Sequence, residues 1–121
     1  MSAVLVSTNV VVYMDSLRPG SEPPKNVVKQ IEQSFQVTDK YSIRSVKCQK
    51  QHGPDCLVFS VANLDLVLSG NDVSKIKFDE TLLRSFLVES LIAGRIYFPF
   101  KRCNTRGEAT VFSRKYKIYN K

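Results

Sequence analysis

The chain has a single histidine, His52, and three cysteines, Cys48, Cys56 and Cys103. A small, odd cysteine set argues against a disulfide framework. Cys48, His52 and Cys56 fall four apart, but Gly53-Pro54 breaks any helix that would align them, and the spacing fits no common zinc pattern. No metal and no cofactor is therefore expected. No apolar stretch reaches the roughly 18–20 residues of a membrane span, and residues 1–6 lack the basic start and cleavage site of a secretory signal. The expected compartment is nucleus or cytoplasm, with no membrane partner. Gly-rich phosphate loops, zinc-finger spacings and internal repeats are also missing.

Acidic residues are scarce at one end. Residues 101–121 carry seven lysines and arginines against Glu108 alone, whereas the formal charge of the whole chain is +7, so residues 1–100 are nearly neutral. A basic end attracts phosphate backbones without sequence preference. Weak nucleic-acid contact through 101–121 is one expectation. A solvated, flexible tail is the plainer one.

What is present is enough for one modest core. The 121 residues are 43% hydrophobic, in the range of a folded domain. Residues 4–7 and 10–14 are rich in β-branched side chains and are split by Thr8-Asn9, which predicts a hairpin. Three prolines and a glycine make 17–24 a loop. Val27, Val28, Ile31 and Phe35 then recur at helical spacing, predicting a helix over 25–36, and Tyr41, Ile43 and Val46 suggest a strand over 41–48. A long apolar run follows Cys56 and ends near Ser69-Gly70; it is too continuous for an ordinary strand and predicts a buried helix opened by Cys56. Asp55 fits its N-cap, and Asp79 fits the N-cap of a last helix over 80–93 closed by Gly94. Leu82, Leu83, Phe86, Leu87, Leu91 and Ile92 would be the buried stripe of that helix, with Arg84 and Glu89 on its solvent face, and 96–100 should pack on the core. Interleaved strands and helices argue an α+β fold with a mixed sheet.

Cys56 at a helix start has a chemical consequence, because the positive end of the helix dipole favours a thiolate. Gln49 and Gln51, just upstream, could donate an amide proton to a developing oxyanion. Tyr13-Met14-Asp15-Ser16-Leu17 ends a β run in an acid. Asp55-Cys56 follows a glutamine-bearing loop, and Phe78-Asp79-Glu80 leads through Leu83-Arg84-Ser85-Phe86-Leu87 to Gly94 and Phe98-Pro99.

In this order the motifs resemble the C-terminal part of the ubiquitin-like-protein-specific (Ulp-type, SUMO-deconjugating) cysteine protease family, in particular divergent members carried by mobile elements. The resemblance covers residues 4–100. It implies a papain-like cysteine protease fold, here partial, with a mixed sheet and a central buried helix carrying Cys56. It further implies Cys56 as nucleophile, Asp15 as the acid that orients a histidine, and Gln51 as the oxyanion glutamine, with Gln49 as the alternative. A ubiquitin-like protein or its conjugates would be the partner. The chain departs from the family pattern where His-Trp should open the strand before the acid: that place falls near Ser2-Ala3 or off the N-terminus, and the glycine expected after the nucleophile is Leu57. Without an imidazole, activation falls to the helix dipole, worth about 0.3–1 kcal/mol, and the general acid for the leaving amine is missing. His52, four residues before Cys56, is expected as a surface loop residue. The implied state is a truncated or decayed peptidase domain without useful activity; the alternative is a non-catalytic module binding a ubiquitin-like protein or nucleic acid. A free sheet edge with apolar surface over 4–12 should accompany truncation.

Overall fold

The computed structural model describes residues 1–37 and 39–115 and shows a mixed α+β domain. Strands β1 (Ser2–Ser7) and β2 (Val10–Met14) form an antiparallel hairpin, with a register shift between Leu5 and Ser7. Helix α1 (Lys25–Ser34) crosses over to β3 (Lys40–Ser45), which pairs parallel to β2. Helix α2 (Cys56–Leu68) follows, then a 3₁₀ turn (Val73–Lys75) and β4 (Ile76–Lys77). A second 3₁₀ turn (Glu80–Leu82) leads into α3 (Leu83–Ala93). The chain closes its described part with β5 (Lys101–Arg102), paired to β4, and β6 (Thr110–Lys115), paired antiparallel to β3. The main sheet runs β1-β2-β3-β6.

Alternation along β2 builds two cores. Val11 and Tyr13 point to the face shared with Val28 and Ile31 of α1 and with Tyr41 and Ile43 of β3. Val12 and Met14 point to the opposite face, where Val58, Phe59, Ala62 and Leu66 of α2 cover them. Buried on both faces, β2 reads as the unbroken apolar run VVVYM. The Cys56 helix is thus a central element, apolar over most of its circumference, with Leu57 and Leu68 left exposed at its ends.

Five expectations are corrected. Residues 101–115 are not a flexible tail: Thr110, Val111 and Phe112 have β-forming side chains, and Phe112, opposite Ile43, packs on the α1 core. Residues 116–121 lie outside the described part. The last helix starts at Leu83 rather than Glu80, because Asp79 accepts from the Thr81 N–H and hydroxyl and so caps the preceding 3₁₀ turn. Its inner stripe is Leu83, Phe86, Leu87 and Ser90, at i, i+3, i+4 and i+7, while Leu82, Leu91 and Ile92 face outward, the last two 76% and 82% exposed. Of 96–100 only Phe98 is buried; the Ser90 hydroxyl holds the Tyr97 N–H at 3.0 Å and leaves the Tyr97 ring largely outside. Among the described residues β1 pairs only with β2, and the largest apolar exposure sits on α3 rather than over 4–12, where Val11 and Val12 are buried and Val6 is half-exposed. Gly94 takes the left-handed conformation expected after a helix end, φ +73°.

Candidate active site

Three segments meet beside the start of α2. The first is the end of β2. Asp15 is buried, and its Oδ1 accepts from the Leu17 N–H at 3.0 Å, turning the chain out of the sheet. The second is the loop before Cys56. Gln51 is buried against Ser16: its N–H donates to the Ser16 carbonyl at 2.9 Å, its Oε1 accepts from the Ser16 hydroxyl, and its Nε2 donates to the Gly53 carbonyl at 2.8 Å. The third is the start of β1. The Ser2 hydroxyl donates to the Ser60 carbonyl at 2.8 Å, one helical turn beyond Cys56, and Ser2 is paired with Met14, the residue before Asp15. The place expected to hold a histidine therefore lies between the Cys56 helix and the Asp15 strand end.

The chemistry of this junction is incomplete. Cys56 is exposed at the first position of α2, and among the described residues no hydrogen bond joins its thiol to Asp15, Gln51 or His52. Asp55 occupies the N-cap position, yet its side chain makes no cap; its carboxylate pairs instead with Arg84, which lies on the solvent face of α3 as expected. Gln49 points away from Asp15. It clips the Phe78 backbone at both ends, accepting from the N–H at 2.6 Å and donating to the carbonyl at 3.1 Å. Of the two glutamines, Gln51 is the one beside the acid.

His52 is 80% exposed and turned to Glu80, its Nδ1 lying 3.2 Å from Oε2. The other oxygen of Glu80 accepts from the His52 N–H at 2.7 Å and the Gly53 N–H at 2.9 Å. Residues 49–55 are thus tied to 78–84 at three points, Gln49–Phe78, His52/Gly53–Glu80 and Asp55–Arg84. The two motif segments that stand far apart in sequence are one structural unit. Residue spacing alone could not reveal this, because the clamps are loop-to-loop contacts without periodicity.

Partial burial pushes the Glu80 carboxyl up, but the two loop N–H groups and the His52 ring outweigh it and hold it below its ordinary value. Its clamp is therefore in place above the carboxyl's unfolded value and is lost as pH falls through the lower folded one. Glu80→Ala should speed amide exchange of His52 and Gly53 roughly ten- to hundredfold at neutral pH, read by hydrogen exchange, with amides of β2 unchanged.

A second thiol borders the junction. Cys48 is fully buried, and burial with the nearby Asp15 carboxylate pushes it up to about 11. Tyr13 is raised to about 12, by burial first and then by the charge of Asp15 and a hydrogen bond to it. Both groups are favoured neutral in the fold. Their stabilisation is intact below the unfolded thiol value and lost as pH rises through about 9–12. Cys48 alone should account for about 2–3 kcal/mol of stability lost by pH 11. Denaturant titrations at pH 8 and 11 should show a smaller alkaline loss for Cys48→Ala than for the unaltered chain. Thiol reagents should modify Cys56 and leave Cys48 untouched in the native state.

Comparison with protein-family models, with curated proteins and with solved structures finds no match for this chain. Among the described residues no helix is long and apolar enough to cross a membrane, and no three His, Cys, Asp or Glu side chains gather as a metal would require.

Proposed function

We propose that this is a cysteine peptidase domain of the ubiquitin-like-protease (Ulp, deSUMOylating) type whose catalytic imidazole is missing, with a partial papain-like fold. One observation carries the reading. The Ser2 end of β1 bonds to the helix that Cys56 opens and pairs beside the strand end that Asp15 closes, near the place that the family resemblance gives to a histidine. Cys56 is the nucleophile of this reading, Gln51 the oxyanion donor and Asp15 the orienting acid. Tying the Gln51 loop to Ser16 keeps glutamine and acid together. The partner is a ubiquitin-like protein or its conjugates, and the setting nucleus or cytoplasm.

The test uses a ubiquitin-like protein bearing a C-terminal fluorogenic amide. The unaltered chain should release no fluorophore above the Cys56→Ser level. Turnover abolished by Cys56→Ser would show that another group supplies the proton and would sink the missing-imidazole reading. A second reading, a nucleic-acid binding module, rests on the basic residues of 101–115. All but Arg106 lie in strands, with Lys115 paired opposite Lys40 and Lys101 and Arg102 exposed. Steep salt dependence of oligonucleotide binding, lost on charge removal at Lys101, Arg102 and Lys115, would favour it.

A further inference from the structure

Away from Cys56, a cavity of about 660 Å³ opens between the loop at His52, the turn at 79–82 and the β4–β5 ribbon. That volume suits a small molecule. Its lining includes Phe86, Pro99 and Phe100, the last 39% exposed, with Phe78 buried beneath. It also includes Lys77 and Lys101. These two are direct partners in the antiparallel β4–β5 pair, so their side chains leave the ribbon on one face. Both are exposed, and neither has an ion-pair partner among the described residues.

Like charges placed directly opposite one another destabilise a strand pair, and a bound anion removes that penalty. The two acids of the same cavity do not fill this role. Glu80 has both oxygens engaged by His52 and Gly53, and Asp79 accepts from Thr81. With Nδ1 of His52 held by Glu80, its Nε2 is left at the exposed rim as a further polar contact.

We infer that this cavity binds an aromatic oxyanion, with the ring against Phe86 and Phe100 and a carboxylate or phosphate between Lys77 and Lys101. The site goes beyond the peptidase reading and involves none of Cys56, Asp15 and Gln51. Cation placement beside aromatic walls selects this class, because a neutral ring gains nothing from the lysines and a bare anion nothing from the phenylalanines.

The experiment titrates the whole chain, by calorimetry and by amide chemical shifts, with 1-naphthyl phosphate, 1-naphthoate and 1-naphthylmethanol. Both anions should bind at least about tenfold more tightly than the alcohol. Lys77→Gln and Lys101→Gln should each weaken the anions about three- to tenfold and leave the alcohol unchanged. Phe100→Ala should weaken all three. Preference for the phosphate identifies a nucleotide-like ligand, and preference for the carboxylate an aryl acid or an aromatic chain terminus. Equal binding of the alcohol, or anion affinities indifferent to both lysine variants, overturns the inference. A ligand-free measurement guards against trivial loss of fold. Relief of the opposed charges should raise Tm by about 1–4 °C in each lysine variant, and a fall in both would remove the premise.

Discussion

Ser2→His should turn the chain into a slow, Cys56-dependent hydrolase of a ubiquitin-like protein's C-terminal amide. The expected gain is about 10²-fold or more over the same variant carrying Cys56→Ser, the lower range of what a positioned acid–base group contributes. Three facts set the position. Ser2 is paired with Met14, immediately before Asp15. Its side chain faces α2, because its hydroxyl reaches the Ser60 carbonyl. Ser60 is one turn, about 5.4 Å of helix rise, from the Cys56 end. On the proposed reading an imidazole there is to work between Asp15 and the Cys56 thiol, deprotonating sulfur and protonating the leaving amine. The substitution costs stability, about 1 kcal/mol for the lost hydrogen bond and about 1–3 kcal/mol for overfilling a buried place. Ala3→His is the matched control. Ala3 packs toward the α1 core, so the same ring added one residue later faces the wrong side of the sheet and should give no gain. Ser2→His that folds, by circular dichroism, yet turns over no faster than Ala3→His would falsify the assignment of this junction as a peptidase site.

The hairpin, α1, α2 and the mixed character of the sheet were legible because each rests on a local pattern. Valines alternate between two cores in β2, Val28 and Ile31 recur on one face of α1, and the run after Cys56 is too long for a strand. Strand β6 was hidden by composition. Arg114 and Lys115 read as a solvated end, but Arg114 pairs with Glu22 and the strand is set by Thr110, Val111 and Phe112 against β3. Helix α3 misled because it is apolar on two sides. Leu83, Phe86 and Leu87 recur at the same spacing as Val88, Leu91 and Ile92, and periodicity cannot say which set meets the core. In the candidate site, Asp15 and Gln51 were pointed to by the family resemblance, and the structure joins their segments through Ser16. The clamps from Gln49, Glu80 and Arg84 could not, since each joins residues 27–29 apart through side chains whose types alone imply only surface polarity. Asp55 shows the same limit: its residue type and place fit a cap, while the competing guanidinium of Arg84 takes its carboxylate away.

Phe59→Ala should unfold most of the population at moderate temperature, whereas Leu57→Ser should be nearly silent. Both residues lie in the first turns of α2. Phe59 has no exposed surface and sits among Val12, Met14, Leu66 and Phe98, where the helix crosses the sheet. Removing a fully buried ring costs about 3–5 kcal/mol, the transfer term plus the cavity left behind. A domain of this size has on the order of 5–15 kcal/mol in all. The expected fall in Tm is about 10–25 °C. Leu57 is 68% exposed, and a polar side chain there should change stability by no more than about 0.5 kcal/mol. The pair separates two pictures of the Cys56 helix. If α2 is a central element seated by Phe59 with its first turn open to solvent, the two thermal shifts differ by an order of magnitude and the Cys56 thiol stays accessible in Leu57→Ser. If instead the whole first turn is sequestered, Leu57→Ser destabilises comparably and Cys56 resists labelling. No nucleophile could then operate from that position, whatever imidazole were supplied at Ser2.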